Sequence, residues 1–238
     1  MIHVGTCGFR KAHDTTFKHL RVLEVNKTFY KPPMDRTARR WRDEEAPADF
    51  IFTLKAWQLI THEPSSPTYR KADLDIPDES RDRYGSFRPT EEVFDAWERT
   101  RQIAGLLGAP IVVFQCPASF QPTAEHKQHM RAFFRQVDRA DLRFAWEPRG
   151  DWREEEIEAL CADLDLLHCV DPFDAGTVTE EIAYFRLHGV DGYDHNYTAS
   201  ELQMLRDRCA AFEEAYVLFN NISMWEDALR FREILGQV

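Results

Sequence analysis

No stretch of this chain approaches the roughly 20 consecutive apolar residues that cross a bilayer. Its 238 residues also contain no C-x-x-C pair, no G-x-G-x-x-G and no G-x-x-x-x-G-K-[ST]. The first absence removes any expectation of a membrane partner. The second removes the usual ligand spacing of a structural zinc site. The last two remove the glycine-rich loops that cradle phosphates in dinucleotide- and nucleotide-binding sheets. The opening segment, MIHVGTCGFRKAH, lacks an apolar signal region and reads as the start of a first strand. Five cysteines, Cys7, Cys116, Cys161, Cys169 and Cys209, are odd in number and scattered. They are expected to be reduced thiols in a cytoplasmic protein.

Lysine is scarce as well, seven of 30 basic residues, and acid outweighs base to a formal net charge of −11. A protein that grips duplex nucleic acid without sequence preference needs a basic face. The charge balance therefore disfavours nucleic acid as a partner while leaving room for a local basic site. What the chain has in quantity is apolar mass: 43% of its residues are hydrophobic and 13% aromatic. That suffices for the core of one large domain or two small ones.

Eight short apolar runs punctuate the sequence, at 2–6, 21–26, 50–57, 110–116, 142–148, 166–171, 182–188 and 215–221. They are mostly β-branched or aromatic, as strands require. Helix-like stretches separate most of them, at 35–45, 90–107, 123–137, 152–164, 199–212 and 225–235. Thr90 is placed to cap the second of these and Gly108 to stop it. The gaps after the first and sixth runs are less clearly helical. Eight strands alternating with helices predict a parallel α/β sheet, and eight units in about 240 residues match a single-domain TIM (β/α)8 barrel. An open doubly wound sheet is the competing architecture. Residues 61–89, THEPSSPTYRKADLDIPDESRDRYGSFRP, form a long connection rich in Pro, Ser and charge. A stretch of this kind is expected to be a functional lid or a solvated insertion.

Alternate strand residues of a barrel point inward, and catalytic groups collect where the strands end. One parity class becomes polar at seven of the eight strand ends. It contains Glu24 and Asn26, Lys55, Gln115, Glu147 and Arg149, Asp171, Arg186 and His188, and Asn220. The opposite class stays apolar, as a layer under helices should. Solvated strand ends show no fixed parity, so this set is expected to converge on a site.

Several chemistries suit such a set. Glu24 and Glu147 could act as a carboxylate acid/base pair, which hydrolyses glycosides at separations of about 5–10 Å. Each could equally be the ion-pair partner of Lys55, Arg149 or Arg186. Glu24, Glu147, Asp171 and His188 could hold a divalent metal, though basic neighbours would compete with it. Lys55, Arg149 and Arg186 suggest a small anionic ligand, since arginine forks match phosphate and carboxylate. His188 is a candidate general acid or base. Tyr30, Tyr193 and Tyr197 could stack on a ligand or pack the rim. His126 and His129 make an H-x-x-H without a third ligand, Cys7 lacks the spacing of a catalytic triad, and Cys116 reads as core.

The segments GTCGF, LEVNKTFYKPP, FTLKAWQLITH, VVFQCPASF, FAWEPRGDW, AYFRLHG and VLFNN together resemble the YecE-like family, the domain-of-unknown-function family numbered 72. The resemblance implies a TIM-type barrel and marks Glu24, Asn26, Tyr30, Lys55, Gln115, Glu147, Arg149, Arg186, His188, Gly189, Asn220 and Asn221. Members commonly carry Ser where Cys7 stands and Trp where Phe9 stands. The 61–89 connection looks like a trait of an archaeal-type subfamily. The expectation is thus a hydrolase-type enzyme acting on a small anionic substrate without a predicted cofactor. Glu24, Glu147 and His188 would be catalytic. Asn26, Tyr30, Lys55, Gln115, Arg149, Arg186, Tyr193, Asn220 and Asn221 would bind substrate. Two alternatives stand beside it: a metal-dependent nucleic-acid phosphodiesterase and a non-catalytic metabolite-binding barrel.

Overall fold

Each of the eight apolar runs becomes a strand in the computed structural model, which describes residues 1–237. The strands are β1 (Ile2–Cys7), β2 (Val22–Val25), β3 (Ile51–Lys55), β4 (Ile111–Gln115), β5 (Arg143–Glu147), β6 (Leu166–Val170), β7 (Ile182–Leu187) and β8 (Glu214–Phe219). They pair in chain order, all parallel, and β8 closes on β1. A closed sheet has no free edge, so every ladder hydrogen bond has a partner. The fold is the TIM-type barrel that the alternation of runs predicts.

The helices are α1 (His13–His19), α2 (Asp35–Arg39), α3 (Gln58–Thr61), α4 (Pro67–Lys71), α5 (Glu91–Leu107), α6 (Ala124–Gln136), α7 (Glu154–Leu164), α8 (Ala199–Cys209) and α9 (Met224–Ile234). A π-helical turn, Arg40–Glu45, extends α2. Gly108 ends α5 in the left-handed conformation, φ 60°. Thr90 does not cap it: the hydroxyl donates to the Arg83 carbonyl at 2.6 Å. No helix joins β6 to β7 among the described residues.

Two apolar layers follow the strand parity. Val22, Val113, Ala145, Cys169, Tyr184 and Leu218 pack inside the barrel. Leu23, Phe52, Val112, Phe114, Phe144, Trp146, Phe185 and Phe219 pack outside it against the helices. The inner layer is a floor, and the polar class at the strand ends stands on it.

The 61–89 connection is docked at its two ends, while most of residues 70–83 are exposed. It contains α4 and a 3-10 turn at Asp78–Arg83, and it returns along α3 through Gly85 N–H to Leu59 O at 2.8 Å and Phe87 N–H to Ile60 O at 2.9 Å. Gly85 is required there. Its φ is +77°, and a Cβ would lie 2.4 Å from the His62 carbonyl oxygen. Tyr69 is buried and donates its hydroxyl to His62 O at 2.8 Å. Phe87 is fully buried among Phe120, Phe133 and Phe134, with centroids 5.2–5.5 Å away. Aromatic anchors spaced far apart along a charged stretch hold the segment down. Phe87→Ala should therefore lower unfolding stability by about 3–5 kcal/mol, measured by urea denaturation, as expected for a buried aromatic.

Candidate active site at the barrel mouth

Arg186 lies at the centre of the strand-end layer. It sits on β7, fully buried, with Glu24 on β2 to one side and Glu147 on β5 to the other. Its Nε and Nη2 donate to the two oxygens of Glu24 at 3.1 and 2.9 Å, a bidentate fork. Its Nη1 donates to Glu147 Oε2 and, at 3.4 Å, to Gln115 Oε1. The Tyr184 hydroxyl donates to Glu24 at 3.0 Å and lies 2.7 Å from the Thr53 hydroxyl. Burial drives a carboxyl towards its neutral form, and it pushes Glu147 up. Arg186, then Arg149, His188 and Lys55, outweigh that push and hold Glu147 at about 2.

A second set of groups extends from Glu147 towards solvent. Arg149 Nε donates to Glu147 Oε1 at 2.8 Å. Its Nη2 donates to His188 Nε2 at 2.8 Å. Guanidinium nitrogens only donate, so Nε2 accepts here, and the ring proton belongs on Nδ1. That nitrogen faces Asp171 Oδ2 at 3.5 Å, too far for a good hydrogen bond. The same Asp171 oxygen accepts the His188 backbone N–H at 2.7 Å. Gly189 follows with φ +97°, and a Cβ there would meet Gly192 O at 2.0 Å. The glycine thus permits the turn that places His188 over the mouth. A cavity of about 200 Å³ opens beside these groups, lined among others by Glu147, Arg149, His168, Asp171, Asp174 and His188. A larger cavity of about 530 Å³ lies outside the barrel wall, where Phe173, Phe185 and Phe212 face Arg208. It gathers no comparable set of titratable groups.

Lys55 ends β3 at the same mouth, 7% exposed. Its Nζ stands 3.7 Å from the centroid of Phe29. It has no ion pair or side-chain hydrogen bond among the described residues. Burial, then the charge of Arg186, lower its pKa to about 7.

These positions revise several expectations. Glu24 is wrapped by Arg186 and Tyr184 at zero exposure, so it is an ion-pair partner and cannot reach a substrate. Arg186 is committed to two carboxylates and is not free to grip an anion. Lys55, with its lowered pKa, is not a permanent cation. Asn221 is buried, and its Nδ2 donates to Asp227 at 2.7 Å and to His195 O at 2.8 Å, which ties the β8 end to α9. Tyr197 is no rim residue: it is 1% exposed and accepts the Gly189 N–H at 2.9 Å. Asn26 opens a 3-10 turn, Asn26–Phe29, and is half-buried, as are Tyr30, Gln115 and Asn220. Tyr193 is exposed, its ring edge-on to His188 at 5.8 Å. Asp174 and His168 line the cavity without having been singled out. Asp174 lies in an irregular connection that carries no periodicity, and His168 belongs to the outward class.

A divalent metal does not fit this donor set. The guanidinium of Arg186 fills the space between Glu24 and Glu147, and that of Arg149 lies between Glu147 and His188. The chain itself supplies the cations that these donors surround. No group of three or more His, Cys, Asp or Glu poised for a metal occurs among the described residues.

Arg186→Met should lower stability by about 3–5 kcal/mol at pH 7 in urea unfolding, because it strands two buried carboxylates. Acid should act on the same cluster in the unsubstituted protein. Glu147 has a lowered pKa, so its contribution is complete above its ordinary value of 4.5 and is lost as pH falls towards about 2. Unfolding stability measured between pH 6 and pH 2 should fall across that window. A flat profile there would contradict the pairing.

Solved structures share this architecture. A DUF72 family protein from Thermotoga maritima aligns at 23% identity and a TM-score of 0.71, covering 99% of each chain. One from Enterococcus faecalis aligns at 18% identity and 0.74, covering 99% of this chain and 98% of that one. Endonuclease IV from Thermus thermophilus aligns at 14% identity and 0.55, covering 99% and 100%. No curated protein matches the chain. Likeness at these identities speaks for the fold alone. The sequence match is specific: residues 14–238 fit the family described as "Protein of unknown function DUF72", and the chain belongs to that family.

Proposed function

We propose that the chain is an enzyme of the hydrolase type, acting on a small substrate that carries an anionic group, with its active site at the mouth between β5, β6 and β7. One observation carries the reading: His188 is held between Arg149 and Asp171 beside a cavity of about 200 Å³. An imidazole whose Nε2 accepts from a part-exposed guanidinium and whose Nδ1 lies near a carboxylate is placed for proton transfer.

Roles follow from which atoms are free. Arg149 uses Nε and Nη2 within the protein, while its Nη1 has no partner among the described residues and its side chain is 34% exposed. Nη1 is the contact for the substrate's anionic group. An anion that draws Arg149 outward also releases His188 Nε2, which then takes a proton from the attacking water and returns it to the leaving group. Glu147, held ionised, positions Arg149 and stays out of the proton transfer. Asp171 lies 3.5 Å from the ring's Nδ1 and accepts the His188 backbone N–H. Tyr193 stands edge-on to His188 at the entrance. The five buried free thiols suit a reducing, cytoplasmic compartment.

Turnover screened against phosphate monoesters, phosphorylated sugars and carboxylate esters tests the reading. His188→Gln should reduce kcat by about 10²–10⁴-fold, the usual worth of a positioned acid–base group. Arg149→Met should act mainly on KM. Undiminished kcat in His188→Gln would refute the assignment. Ligand-induced rises in Tm with no turnover would favour a metabolite-binding barrel instead.

A further inference from the structure

We infer that Lys55 is a nucleophile that captures the carbonyl carbon of a small aldehyde or ketone as an imine. This chemistry is separate from the His188 reading and does not depend on it.

The geometry singles this residue out. Each of the other cations of the mouth is neutralised by a carboxylate: Arg186 by Glu24 and Glu147, Arg149 by Glu147. Lys55 alone among them has no carboxylate within 4 Å. Its nitrogen rests on an aromatic face, which donates and accepts no conventional hydrogen bond. The residue is 7% exposed and Nζ is not fully enclosed, so the amine keeps a small contact with solvent. A lysine kept only for charge is normally paired or solvated. One held partnerless against an apolar wall beside a fixed guanidinium is set up to lose its proton, as amine nucleophiles require.

The charges around Nζ agree with this. Burial and Arg186 favour the free amine; Glu147 and Glu24, with Cys7, oppose them; the Phe29 face also favours the ammonium. Burial dominates, and the group titrates at about 7. His62, edge-on to Phe29 with centroids 4.8 Å apart, is held neutral with a pKa of about 3, chiefly by burial. It therefore adds no cation at neutral pH. Lys55 therefore releases its proton more readily near neutral pH than an ordinary lysine does.

The step is balanced without any redox partner. The amine lone pair attacks the carbonyl carbon and a C–N bond forms. The carbonyl oxygen then leaves as water, carrying the two protons that the amine loses. The product is a C=N bond between Lys55 and the ligand carbon.

Borohydride trapping on the full-length protein tests this directly. The protein is incubated with glycolaldehyde or pyruvate and sodium cyanoborohydride near pH 7. Intact mass and peptide mapping then locate the reduced adduct. One equivalent is expected on the peptide that contains Lys55, formed at least tenfold faster than at any of the six other lysines. Lys55→Arg should abolish it. Because the map is read on the unsubstituted protein, the test survives a variant that fails to fold. Labelling spread over other lysines, or folded protein unlabelled at Lys55, would overturn the inference. Loss of turnover in His188→Gln without labelling at Lys55 would remove the imine and leave the acid–base site standing. The reverse result would do the opposite.

Discussion

The buried guanidinium of Arg186 is the constraint on which the barrel mouth depends. An arginine at the centre of a barrel has lost its water, and only close, well-oriented acceptors offset that cost. Glu24 and Glu147 supply them from strands on opposite sides of the ring, so the charged triad ties β2, β5 and β7 together across the interior. Tyr184, Thr53 and Gln115 complete the shell and leave few lone pairs unused. Below it the inner layer is apolar, which keeps water from competing with the ion pairs.

Everything above the triad inherits its electrostatics. Glu147 is fixed in its ionised form and in turn holds Arg149, and Arg149 reaches His188. On the other side the same positive charge, added to burial, lowers the pKa of Lys55. One guanidinium therefore acts on both the Glu147–Arg149–His188 chain and Lys55. The strongly negative net charge of the chain has little bearing here. In the mouth, carboxylates, guanidiniums and an amine nearly cancel, and the position of each decides what is left over for a ligand.

Much of this was legible in the sequence because a barrel strand has a period of two and a polar end. Eight apolar runs gave the strand count, and parity separated Glu24, Lys55, Glu147, Arg186 and His188 from their outward neighbours. Parity could say that these residues share a mouth but not which of them touch. Glu24 and Arg186 are 162 residues apart, and nothing local records that their side chains interlock. Hence two residues expected to meet a substrate turned out to meet each other. The 61–89 connection misled in part, for a related reason. Its composition is that of a solvated loop, while Tyr69, Gly85 and Phe87 dock it through contacts with α3 and α6 that no window of sequence contains. Asn221 and Tyr197 look like site residues by type, yet their partners are Asp227 and the Gly189 amide.

Local pattern thus determined the strands, most of the helices and which strand-end residues share the inward parity, because hydrophobic periodicity is written along the chain. Tertiary structure alone decided which charges neutralise one another, which nitrogen of His188 faces Arg149, and that Lys55 has no carboxylate partner. Those outcomes depend on distances between strands remote in sequence and on the loss of water around them, and neither quantity exists until the barrel closes.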